Sequence, residues 1–173
     1  MGLFLQKTNI TRDYLEDVTA TPPRIFWPRA IWSKHAPRVD ALHQGGRAAA
    51  LGALNEMVTN AVLHAEDCLD FLDALREPSV FAFCAIPQVM AIATLALCYN
   101  NYNVFRREVK IRKSEAVLLM TTSTTMGAVV RHFDAYAAVM QADVPAADPN
   151  APAMRTALAR LRAKCAAHPR YAQ

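Results

Sequence analysis

The sequence predicts an all-α protein, and three observations predict it. Apolar residues fill 53% of the 173 positions, glycine occurs only five times, and the strong helix formers Ala, Leu and Met are abundant. No run of alternating β-branched residues marks a strand. Prolines fall mostly between apolar stretches, where they punctuate helices. The length suits one domain with a sizeable core.

The pattern predicts helices over 3–19, 28–42, 46–76, 79–101, 114–141 and 151–166. Pro22-Pro23 ends the first, and Pro78 separates the third from the fourth. Pro145, Pro149 and Pro152 mark a linker, so residues 1–142 read as the main body and 143–173 as a Pro/Ala-rich linker with a helical tail. Residues 78–105 carry no charged side chain. Within them 79–99 is long and apolar enough to span a bilayer. The same stretch suits a buried central helix, apolar on every face, bent or locally broken at Pro87.

Net charge is +4, and residues 106–113 (RREVKIRK) concentrate five basic side chains around one acid. Basic clusters attract nucleic-acid backbones, but no stacking aromatics interleave here and no nucleic-acid motif is present, so that partner is set aside. Cys68, Cys84, Cys98 and Cys165 lack CxxC or metal-ligand spacing and read as reduced thiols. The five histidines form no HExxH pattern. The N-terminus does not read as a signal peptide.

Asp13, Glu16 and Asp17 stand at i, i+3 and i+4 in MGLFLQKTNITRDYLED. On a helix they share a face, where like charges repel unless a cation offsets them. Mg²⁺ favours carboxylate oxygen and completes its shell with water and substrate phosphate. The stretch therefore reads as one wall of a Mg²⁺–diphosphate site. Its plainer reading is a solvated helix end with an Arg12–Glu16 i, i+4 pair. Asp67, Asp70 and Asp73 form a second acidic stripe, opposite apolar positions such as Leu69 and Leu72. That stripe reads as a solvated face.

The string QKTNITRDYLED resembles the second aspartate-rich motif of the squalene synthases. So do Phe26-Trp27-Pro28 with Ile31-Trp32-Ser33, Asn55-Glu56 with Thr59-Asn60-Ala61, the run Ser79 to Ala96, and Val109 to Lys113. These blocks follow the family's order and near its spacing from Met1 to about Met140. The resemblance covers the second half of the family's catalytic domain. It implies an isoprenoid-synthase-type helical bundle of which the first aspartate-rich motif lies upstream, so the chain is expected to be truncated and inactive alone.

The resemblance implies a head-to-head condensation of two farnesyl diphosphates to presqualene diphosphate, followed by NADPH-dependent reduction to squalene. Asp13, Glu16 and Asp17 would hold Mg²⁺ against a diphosphate, and Gln6 and Asn9 would line the cavity near the reacting centre. Arg12, Lys110 and Arg112 would neutralise phosphates, including those of NADPH; Lys113 reads as a surface residue. The buried reading of 79–99 follows from the same resemblance. Phe4, Leu5, Phe83, Cys84 and Pro87 are candidates for an apolar lining that keeps water from a carbocation. The implied parent is monomeric and held on the cytosolic face of the endoplasmic reticulum membrane. Two alternatives stand beside this reading. One is a phytoene-synthase-type transferase, which Lys7 and VKIRK argue against. The other is a non-catalytic prenyl-diphosphate-binding half-domain.

Overall fold

The computed structural model describes residues 1–171, and no strand occurs among them. The helices are α1 (Gly2–Arg12), α2 (Tyr14–Thr19), α3 (Arg29–Trp32), α4 (Arg47–Val62), α5 (Ala65–Ala74), α6 (Pro78–Cys98), α7 (Lys113–Thr122), α8 (Met126–Ala142) and α9 (Ala151–Ala167). Short 3₁₀ turns occupy Val39–Ala41 and Tyr102–Phe105.

α6 is the axis of the molecule. It touches α1, α4, α5, α7 and α8. Phe81, Ala85, Gln88, Ile92 and Leu95 recur at three- and four-residue steps and are buried. Glu77 caps its start by accepting from the Val80 N–H at 2.9 Å, with Pro78 at the first turn. At 21 residues and a mean hydropathy of 2.1 it is the one described helix able to cross a membrane by length and composition, yet its neighbours bury half of it. The expected all-round burial is corrected: Phe83 is 79% exposed, and Val80 and Pro87 also face outward. Nor does Pro87 interrupt the helix. It removes the N–H that the Phe83 carbonyl would accept, and on this exposed face water can take that place.

Four further boundaries depart from the expected ones. The first helix parts at Asp13, whose ψ of 14° leaves the helical region. The 28–42 segment holds only α3 and a 3₁₀ turn, because Pro37 forces extended backbone before it. The 46–76 helix divides at Leu63–His64, and 114–141 divides at Ser123–Thr125, where Thr125 accepts from the Ala128 N–H and starts α8. α9 matches its expected span. Met154, Leu158, Leu161 and Cys165 of α9 are fully buried, and the helix lies along α8 and against α4 and α5.

The acidic stripe on α5 is exposed, as expected, and part of that face also pairs with α9. Glu66 pairs with Arg160 at 3.2 Å, Asp70 with Lys164 at 2.6 Å, and Asp73 lies 3.3 Å from His168. Four-residue steps on the basic helix meet an acidic stripe of similar spacing. Asn55 ties the far side together. Its side chain donates to Asp148 at 2.7 Å and accepts from the Asn100 N–H at 2.9 Å. Asn100 takes a left-handed φ of 53°, a conformation asparagine tolerates better than most residues.

Candidate diphosphate site

Tyr14 sets the geometry of the acidic motif. Its ring packs 4.9 Å from Trp27 and 4.8 Å from Phe105, and its hydroxyl donates to the Val39 carbonyl at 2.6 Å. Trp27 in turn donates its indole N–H to the Ile10 carbonyl at 2.7 Å. This buried cluster pins the chain immediately after Asp13. Asp13 itself receives a two-point hydrogen bond from Arg12, at 2.7 and 2.8 Å. The carboxylate raises the Arg12 guanidinium pKa above its ordinary value, against the opposing effect of burial.

Arg12 therefore pairs with Asp13 and not with Glu16. Arg24 binds Glu16 at 3.1 Å and Asp17 at 3.0 Å instead. Asp17 is the buried member of the three, and burial pushes its carboxyl up despite Arg24. Among the described residues no three His, Cys, Asp or Glu side chains converge as a metal cage. A site that uses one or two carboxylates and completes its shell with substrate phosphate needs no such cage.

Two clefts meet at Arg12. A smaller one of about 260 Å³ is lined by Asp13, Glu16, Arg107 and Glu108. A larger one of about 450 Å³ joins Leu5, Asn9, Pro87 and Lys110 with Met90, Ile111 and Lys113. Arg12 lines both. Five expected site residues (Leu5, Asn9, Arg12, Pro87, Lys110) thus come together from α1, α6 and the segment before α7. Asp17, Gln6, Phe83, Cys84 and Arg112 line neither cleft. Gln6 and Arg112 are exposed, while Cys84 is buried. Phe4 is fully buried, 6.2 Å from Phe133, as a core residue.

Lys7 lies elsewhere, with its ammonium 2.7 Å from His64 Nε2. It lines neither cleft. Sequence reading missed Arg107, Met90 and Thr94. Met90 and Thr94 could have been found, since they follow Pro87 at helical spacing. Arg107 sat unresolved within the basic run.

An all-helical fold of the isoprenoid-synthase type, with an acidic cleft beside a cationic and apolar one, defines the class. A sequence model described as squalene/phytoene synthase matches residues 1–115, and the chain belongs to that family. It is 47% identical over 167 residues to squalene synthase 3 of Panax ginseng, covering 95% of this chain and 40% of that protein. It is 50% identical over 153 residues to squalene synthase 1 of Arabidopsis thaliana, covering 87% and 37% respectively. A solved complex of TcSQS with the ligand E5700 superposes with a TM-score of 0.93 at 39% identity, over 96% of this chain and 49% of that one. The chain spans about two fifths of the length of these curated relatives.

Proposed function

We propose that this chain supplies one diphosphate-binding wall of a squalene synthase, a farnesyl-diphosphate farnesyltransferase. The observation that carries the reading is the junction at Arg12 of a carboxylate-lined cleft and an apolar, cationic one. An allylic diphosphate has these two halves: an anionic head and a hydrocarbon tail.

In this reading Asp13 and Glu16 would hold Mg²⁺ through the substrate's diphosphate, with Asp17 behind them under Arg24. Mg²⁺ supplies Lewis-acid stabilisation of the departing diphosphate. Arg12 orients Asp13 and adds positive charge between the clefts, and Arg107 adds more beside Glu16. Leu5, Pro87 and Met90 exclude water from the isoprenoid, and Asn9 is proposed to offer a polar contact near its reacting end. Gln6, Phe83 and Cys84, outside the clefts, are proposed to line a wider cavity. Lys110 and Arg112, with Arg12, are proposed to take the phosphates of NADPH for the reductive step. Attachment to the cytosolic face of the endoplasmic reticulum is also proposed, with α6 serving as a core helix and not as the anchor.

The condensation requires two diphosphates to be held. The remaining acidic stripe, on α5, lies exposed and partly paired with α9, and it lines neither cleft. The chain is therefore proposed to bind substrate without turning it over alone. Incubation with farnesyl diphosphate, Mg²⁺ and NADPH, followed by product analysis, is the test. Bound but unconverted substrate is the expected result. Presqualene diphosphate or squalene made by the chain alone would contradict it. Phytoene-type chemistry is kept as the second reading because Lys7 is held by His64 and lines neither cleft. In a synthase that contains this segment, product formation with and without NADPH separates the two.

A further inference from the structure

Arg24 joins two of the three carboxylates of the acidic motif from outside the clefts. Its Nε lies 3.0 Å from Asp17, and a terminal guanidinium nitrogen lies 3.1 Å from Glu16. Its backbone N–H donates to the Asp17 carbonyl at 2.8 Å. Trp27, further along the same loop, is held by Ile10 and Tyr14. Backbone and side chain together therefore fix the guanidinium to the end of α2. The two carboxylates it holds differ. The Asp17 side chain is 11% exposed and lines neither cleft, whereas that of Glu16 is 71% exposed and lines the smaller one. The Asp17 contact is the firm arm and the Glu16 contact the labile one.

With Arg12 on Asp13 and Arg24 on the other two, every carboxylate of the motif already has an arginine partner. Two guanidiniums against three carboxylates leave a single negative charge. Arg107 and Glu108, which also line the cleft, offset one another. That is a weak field for a hard divalent cation, until a diphosphate brings its own oxygens and charge to the metal. We propose that Arg24 is a positioning residue that makes metal capture depend on the diphosphate: one arm braces Asp17, and the other occupies Glu16 until a metal–diphosphate complex displaces it. The inference rests on the diphosphate-site reading above and deepens it. Arg24 acts through Glu16, and its signature is a pair of opposite effects. Removing it frees Glu16 and raises the negative charge, so bare metal binds more tightly. The anionic diphosphate loses a neighbouring cation and binds less tightly. A purely structural role would weaken both.

Electron paramagnetic resonance titration of the full chain with Mn²⁺ alone reads the first effect, and isothermal titration with farnesyl thiodiphosphate in Mg²⁺ reads the second. Arg24→Gln is expected to tighten Mn²⁺ about fivefold and to weaken farnesyl thiodiphosphate about threefold. Arg24→Lys keeps the charge and one arm on Asp17, which preserves the fold, but cannot span to Glu16 as well; it is expected to tighten Mn²⁺ about twofold. Glu16→Gln added to Arg24→Gln should erase the gain, since Glu16 is the carboxylate set free. Arg160→Gln is the control, because Arg160 is paired with Glu66 at 3.2 Å and lines neither cleft. It should leave both affinities unchanged. No tightening of Mn²⁺ in either Arg24 variant, a gain that survives the loss of Glu16, an equal gain in Arg160→Gln, or a parallel weakening of metal and diphosphate would each overturn the role of Arg24 alone. Failure of the unsubstituted chain to bind farnesyl thiodiphosphate would overturn the diphosphate-site reading itself.

Discussion

Asp13 has two roles. It ends α1 and it anchors Arg12, so the residue that faces the smaller cleft also holds the cation shared by both clefts. Removing its charge should act twice. Asp13→Asn is expected to lower Mg²⁺-dependent ligand affinity by at least about tenfold, read by fluorescence titration. A change of less than twofold would place the metal elsewhere. The residue types at this site were legible from DxxED spacing and from the family resemblance. Their pairing was not: a helical wheel puts Arg12 beside Glu16, but the break at Asp13 hands Arg12 to its neighbour and leaves Glu16 to Arg24. The pairing of Lys7 was hidden for a similar reason, because its partner His64 is distant in sequence.

At the scale of elements, long apolar stretches bounded by proline were legible, as α6 and α9 demonstrate. Breaks without proline or glycine were not. Asp13, Leu63–His64 and Ser123–Thr125 turn because tertiary contacts or hydroxyl caps outweigh weak helix propensity. Pro37 was a visible signal that the 28–42 helix could not continue. Pro87 offers a test of the trade between stability and shape. Pro87→Ala restores an N–H to α6 and is expected to raise stability by about 1–3 kcal/mol. It should also weaken prenyl binding, because Pro87 lines the larger cleft. A lower melting temperature would refute the account of Pro87.

The α8–α9 contact predicts a pH dependence. Burial raises the Asp134 carboxyl pKa, but hydrogen bonds from Tyr171 (2.6 Å) and Arg162 (2.8 Å) outweigh it and hold the group below its ordinary value. A carboxyl lowered in the folded state stabilises fully above the ordinary carboxylate range. That stability is lost as pH falls through the lower folded-state value. Thermal unfolding should therefore show an acid limb that Asp134→Asn flattens, at a cost of about 2 kcal/mol near neutrality. An unchanged acid limb would mean the carboxylate contributes nothing to docking α9.

Across the whole molecule, apolar side chains are distributed unevenly. Phe83, Val117, Leu118 and Val139 are each more than half exposed, although the core beneath them is closed. Exposed apolar area of this kind favours association. Sedimentation velocity is expected to show concentration-dependent self-association that Phe83→Glu reduces. A monomer at all concentrations would mean the exposed residues are too scattered to act together. The all-α class was legible from composition and from missing strand patterning. The docking of α9 through its basic stripe was not, because complementary stripes on separate helices reveal their pairing only when folded.

The central claim is that the clefts joined at Arg12 bind a prenyl diphosphate through a divalent metal. Isothermal titration of the chain with farnesyl thiodiphosphate, first with Mg²⁺ and then with EDTA, tests it most directly. The account predicts one-to-one binding that requires Mg²⁺. No binding, or binding of equal strength in EDTA, would contradict it.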